Sequence, residues 1–146
     1  MALSTLYSAI VLEHNRAPHN FGPLAGATAS GSGLNASCGD EVRMALCLDA
    51  SERIAACGFE GESCAICTAV ASILTGLAVG RDRADIAHLR AEFGALLSGA
   101  PAEQQRLGAL SVFAELVAHP ARRACALLPF SALDQALAGA VPLAAR

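Results

Sequence analysis

The sequence predicts an α+β fold, a small antiparallel sheet packed on one side by several helices. Three observations point there. Val42, Met44, Leu46 and Leu48 alternate with Arg43, Ala45, Cys47 and Asp49, the period of a half-buried strand. Ile86, Leu89, Phe93, Leu96 and Leu97 repeat at helical spacing instead. Of the 146 residues, 54% are hydrophobic but only 4% aromatic, and an Ala-rich core of small side chains favours close-packed helices. The order is helix, hairpin, then a run of helices, with no repeat and no long linker, so a single domain is expected over 1–146.

Taken in order, Ser4 is expected to cap a first helix whose Leu6, Tyr7, Ile10, Val11 and His14 share a face, ended by Pro18. Gly22 to Ser37, rich in Gly, Ala and Ser, reads as a mobile segment or a weak edge strand. The strand after Asp40 turns at Asp49-Ala50-Ser51-Glu52, and Arg53 to Glu60 is its antiparallel mate. Ser63 then caps an apolar helix running to about Val79, with Cys64 at its first position. Asp82 caps a third helix, which Ser98-Gly99-Ala100-Pro101 breaks. Leu107, Leu110, Phe113, Leu116 and Val117 imply a fourth, closed by His119-Pro120. The last begins near Ala121, restarts after Pro129 and ends near Gly139.

The formal charge is −3, and all ten basic residues are Arg. No basic patch is interleaved with aromatics, which argues against nucleic acid as a partner. No signal peptide is read at the N-terminus. Ser63 to Gly80 is uncharged, but its Ser, Thr, Gly and Cys content fits a buried central helix better than a membrane span. The expected compartment is therefore the reducing cytoplasm, where six cysteines serve as ligands, nucleophiles or packed thiols rather than disulfides.

The chemistry centres on Cys38-Gly39-Asp40. Glycine permits a positive φ, so a tight turn can direct the flanking thiol and carboxylate to one point. A thiolate with a carboxylate suits zinc or iron better than calcium or magnesium. Cys64, at a helix start, gains from the helix dipole, which stabilises a thiolate. By spacing alone Cys38, Asp40, Cys64 and Cys125 form either a dispersed ligand set or small thiols packed in the core.

The motifs His14-Asn15-x-x-Pro18-x-Asn20-x-Gly22, Cys38-Gly39-Asp40, Phe59-x-Gly61-Glu62-x-Cys64-Ala65-Ile66 and Ala121-Arg122-x-x-Cys125-Ala126-x-Leu128-Pro129, with Leu6-Tyr7, resemble the IscU/SufU family of iron–sulfur cluster assembly. The resemblance spans nearly the whole chain. It implies metal ligation by Cys38, Asp40, Cys64 and Cys125. Three features resemble the SufU type: a long segment between Cys64 and Cys125, the lack before Cys125 of the Leu-Pro-Pro-Val-Lys motif typical of IscU, and Ala124 where IscU-type members carry His. That type implies a Zn2+-bound sulfurtransferase taking persulfide sulfur on Cys38 from a cysteine desulfurase of the SUF type, with Arg122 in the desulfurase-binding region. In the family a desulfurase histidine is thought to replace the Cys38 equivalent on zinc. Passage to downstream sulfur or cluster acceptors would follow. Two alternatives stand beside it: a scaffold holding iron as a transient [2Fe-2S] cluster, and a structural zinc docking module.

The chain departs from the family at Ser63, commonly glycine, and at Cys67, commonly serine. Cys64-Ala65-Ile66-Cys67 thus has the layout of a thioredoxin-like redox motif without the βαβ context. Cys67 is read as a packed or spare thiol. Cys47 and Cys57 are expected on paired strands where they could face each other, and the four histidines read as surface or loop polarity.

Overall fold

The computed structural model describes residues 8–37 and 39–140. Helix α1 spans Ala9–Arg16, with Ser8 at the N-cap. The expected cap Ser4, and Leu6 and Tyr7, lie outside the described residues. Val11 is buried, whereas Ile10 is 42% exposed, so the predicted apolar face is narrower than expected.

Three strands follow, β1 Ala29–Asn35, β2 Asp40–Leu48 and β3 Ile54–Glu60, paired antiparallel in the order β1-β2-β3. The alternation in β2 is as predicted: Val42, Met44, Leu46 and Leu48 are buried. Asp40 is in phase with them, so pleating alone turns its carboxylate toward the core.

The Gly/Ser stretch is a paired edge strand for much of its length, not a mobile approach. It is held on two sides. Ala29 to Asn35 pair with Leu46 to Asp40, and helix α5, Pro120–Gly139, lies directly against the strand. A Cβ on Gly31 would stand 2.2 Å from the Ala132 carbonyl oxygen, so only glycine admits that helix. Gln135 Oε1 accepts the Ser32 N–H at 2.7 Å, which satisfies a donor on the open edge.

Helix α2, Ala65–Ala78, is the central element, with Ile66, Val70, Ile73 and Leu74 buried and α1, β3 and α5 around it. Ser72 and Thr75 are buried with it and hydrogen bonded. Helix α3, Arg83–Ser98, buries the predicted face Ile86, Leu89, Phe93, Leu96 and Leu97. Phe93 meets Phe113 and Phe130 at ring-centroid distances of 6.2 and 5.5 Å.

The predicted fourth helix is instead a short helix α4, Gln104–Leu107, running into 3-10 turns over Gly108–Ala118. Its buried residues Leu107, Leu110, Phe113 and Leu116 recur every third position, which suits three residues per turn. Val117 falls off that face and is 43% exposed. Helix α5 also differs from expectation, because it continues through Pro129 without a restart. Packing against β1, β2 and α2 along its length offsets the lost hydrogen bond. Among the described residues no helix is long and apolar enough to cross a membrane.

Candidate metal centre

Three chain segments converge where β2, α2 and α5 meet. The first is the β1–β2 turn, in which Gly39 takes φ +70°, a positive value that glycine permits there. It delivers Asp40, 1% exposed, as the first residue of β2.

The second is the loop from β3 into α2. Gly61 has φ +125°, and a Cβ there would lie 2.3 Å from the Glu41 carbonyl oxygen. Glycine thus lets the loop press onto β2, where the Glu41 N–H donates to the Glu62 carbonyl at 2.8 Å. Cys64 is the N-cap of α2, not its first helical residue as expected. Its Sγ accepts the Cys67 N–H at 3.4 Å, and its own N–H donates to Asp40 Oδ1 at 2.7 Å. Ser63, expected as the cap, instead pairs its hydroxyl with Thr68 at 3.0 Å.

The third segment is α5, which carries Cys125, 1% exposed, beside the sheet. Asn35 Nδ2, at the end of β1, lies 4.0 Å from Cys125 Sγ. Pro129 cannot donate the hydrogen bond that an α-helix would direct to the Cys125 carbonyl. Arg122 is half-buried in the first turn of α5.

One donor atom each from Asp40, Cys64 and Cys125 lies within 4.8 Å of the others. Asp40 Oδ2 is buried and has no hydrogen-bond partner among the described residues. An ionised oxygen left this way is costly unless a cation meets it, so the group fits a metal ion by geometry and by charge. Two sulfurs and a carboxylate are donors that zinc or iron accepts. Cys38, the fourth residue expected here, lies outside the described residues; in the sequence it directly precedes Gly39 and Asp40.

The remaining thiols are differently placed. Burial pushes Cys67 up to about 12, helped by the nearby Cys64 and Asp40 charges and opposed by a hydrogen bond with Ser63. Cys57 is likewise pushed to about 12, first by burial and then by Cys47. Both Cys47 and Cys57 are free. They do not face each other as expected: Cys47 pairs with Ala56 and Cys57 with Leu46, which puts the two thiols on opposite faces. Cys47 Sγ donates to the Gly26 carbonyl at 3.0 Å.

His14 is more than loop polarity. Its Nδ1 lies 2.6 Å from Ser72 Oγ on α2, and its ring is 4.5 Å from that of His19. Burial first, then the His19 charge, hold its imidazole below the ordinary value of 6.5, against a smaller opposing pull from Glu13. Asn15 Nδ2 donates to the Ala65 carbonyl at 2.9 Å, which ties α1 to the first turn of α2.

Sequence reasoning overlooked Asn35 and the Gly31/Gly33 pair that seats α5. A signal for the glycines was present, since alternate glycines in a strand mark close backbone approach. No local signal marks Asn35.

A three-stranded sheet backed by helices, with a carboxylate and two thiols gathered at the start of the central helix, is an α+β domain with a candidate metal site. The chain belongs to the family described as NifU-like N terminal domain, whose sequence profile matches residues 6–126. This is an iron–sulfur cluster assembly family of IscU-, SufU- and NifU-like proteins. The chain is 31% identical over 137 residues to the iron–sulfur cluster assembly scaffold protein IscU of Streptococcus pyogenes serotype M1, covering 92% of this chain and 84% of that one. It is 30% identical over 137 residues to the zinc-dependent sulfurtransferase SufU of Bacillus subtilis strain 168, covering 93% and 92%. The crystal structure of FiSufU from Fervidobacterium islandicum AW-1 superposes with a TM-score of 0.81 at 26% identity, covering 92% of this chain and 98% of that one.

Proposed function

We propose that this protein is a zinc-bound sulfur acceptor, taking persulfide sulfur on Cys38 from a SUF-type cysteine desulfurase. The observation that carries the reading is Asp40 Oδ2, buried beside two thiols and without a partner among the described residues. Zn2+ held by Cys38, Asp40, Cys64 and Cys125 would complete a four-donor shell and keep the sulfurs as thiolates. The likeness to a relative named a zinc-dependent sulfurtransferase supports the same metal.

The chain's own groups divide the work. Asp40, Cys64 and Cys125 are fixed by the sheet, by the Asp40-to-Cys64 hydrogen bond and by the seat of α5 on β1. Cys38 is the sequence neighbour of Gly39, and a thiol next to a glycine is the one that changes conformation at least cost. Its thiolate attacks the outer sulfur of the desulfurase persulfide; a new S–S bond forms on Cys38, and the desulfurase cysteine leaves as a thiolate. Arg122, half-buried on the same helix as Cys125, supplies a cation for the docking surface. Such chemistry needs reduced thiols, which fits the cytoplasm.

A second reading, a [2Fe-2S] scaffold, is favoured by the relative named IscU. Elemental analysis and a visible spectrum of protein purified without added metal separate the two. One zinc and no colour support sulfur acceptance; iron with visible absorption supports the scaffold. Incubation with desulfurase and cysteine, followed by alkylation and mass mapping, should place the added sulfur on Cys38. Full transfer by Cys38→Ser, or persulfide chiefly on Cys125 or Cys67, would overturn the acceptor role.

A further inference from the structure

We propose that Cys64 and Cys67 form a reversible dithiol–disulfide pair, a second chemistry at the start of α2 that sulfur transfer does not use. The argument rests on the corrected position of Cys64. At the N-cap, not one residue later, it sits one turn before Cys67 with its Sγ on the Cys67 N–H at 3.4 Å. An N-cap side chain that reaches the N–H of the third helical residue lies beside that residue's own Cβ, so a short adjustment separates the pair from the ~3.5–4.5 Å between Cβ atoms in a disulfide.

Access divides the roles. Cys64 is half-buried at the site, while Cys67 is fully buried behind it. An accessible sulfur at a helix start beside a shielded one is the arrangement of an attacking and a resolving thiol. With hydrogen peroxide as oxidant, Cys64 sulfur attacks one peroxide oxygen, breaking the O–O bond and giving a sulfenic acid and water. Cys67 sulfur then attacks the Cys64 sulfur, the S–OH bond breaks, and a second water leaves as the disulfide forms. The two thiols lose two electrons and two protons in all. A small dithiol reverses the reaction by exchange.

The disulfide removes Cys64 from the donor set, so oxidation and metal binding exclude each other. That consequence rests on the proposed metal site; the pairing itself does not.

The test uses the full chain stripped of metal with a chelator and treated with stoichiometric hydrogen peroxide. Remaining thiols are alkylated, and cleavage after Glu62 separates Cys57 from the pair. A Cys64–Cys67 peptide lighter by two hydrogens and restored by dithiothreitol is the expected result. Sulfinic or sulfonic acid on Cys64 in the wild-type chain, or linkage of Cys64 to Cys38 or Cys125, would overturn the proposal. Cys67→Ser should convert the reversible product into irreversible Cys64 oxidation; unchanged reversibility would also overturn it, and the wild-type map decides if that variant does not fold. Zinc added before peroxide should suppress the disulfide at least ~10-fold. A disulfide that forms equally with and without zinc would leave the pair standing and count against Cys64 as a metal ligand.

Discussion

The starts of α2 and α3 solve the same problem, unpaired N–H groups at a helix end, in opposite ways. At α3, Asp82 accepts the Asp85 N–H at 2.8 Å and Asp85 Oδ2 accepts the Asp82 N–H at 3.2 Å, a complete capping box. At α2 the cap is a sulfur, a weak acceptor at 3.4 Å, and the neighbouring carboxylate gives one oxygen to the Cys64 N–H while the other has no partner among the described residues. One start is satisfied within itself and serves stability. The other is left short of a positive charge, a deficit that the metal ion of the proposed function would fill.

The severest way to break this contrast is to move α5 away from the α2 start. Gly31→Ala puts a Cβ against the Ala132 backbone, so helix and strand must separate. A stability loss of about 1–3 kcal/mol is expected, and with Cys125 displaced, zinc titration should show the site lost. Unaltered zinc affinity would mean Cys125 is not a ligand.

Asp40→Ala acts on the α2 start alone. Zinc affinity should fall about 10–100-fold, while circular dichroism of the metal-free protein stays near wild type, because the core is built elsewhere. Unchanged affinity would remove Asp40 from the site.

The matching change at α3, Asp82→Ala, should do the reverse. Loss of the cap costs about 1 kcal/mol, and Tm falls by about 2–4 °C, with zinc affinity untouched. Measurable zinc loss in this variant would dissolve the distinction between the two starts.

The smallest effect concerns α1, which rests on α2 through His14 and Ser72. The folded His14 binds its proton less readily than the unfolded side chain. The unfolded state therefore holds more protons as pH falls below the ordinary value of 6.5, and stability is full above that value and declines beneath it. Urea midpoints between about pH 8 and about pH 5 should show a shallow slope that His14→Gln reduces. An identical slope in the variant would assign it to other groups.

The same contrast marks how much was legible beforehand. The cap at Asp82, the face Ile86 to Leu97 and the alternation in β2 were readable because each interaction joins residues close in sequence. Asp40 standing in phase with Val42, Met44, Leu46 and Leu48 was a further readable sign, a carboxylate on a core face. The 3-10 turns were misread as α-helix because apolar residues every third position satisfy both patterns until Val117, which the packing leaves exposed. Pro129 was misread as a break because its local cost is real, and only contacts from the sheet and α2 outweigh it.

By itself, then, the sequence determined the β2–β3 hairpin, the buried face of α3, the glycine before Asp40 and, through its motifs, the family. Tertiary structure alone decided that Asp40, Cys64 and Cys125 share one small volume, that Asp40 Oδ2 lacks a partner among the described residues, and that Cys64 caps α2 with Cys67 one turn behind it. The physical reason is range. Periodicity and capping are set by neighbours along the chain, whereas the donor cluster depends on how closely α5 approaches β1 and the Gly61 loop approaches β2, distances fixed only when the core packs.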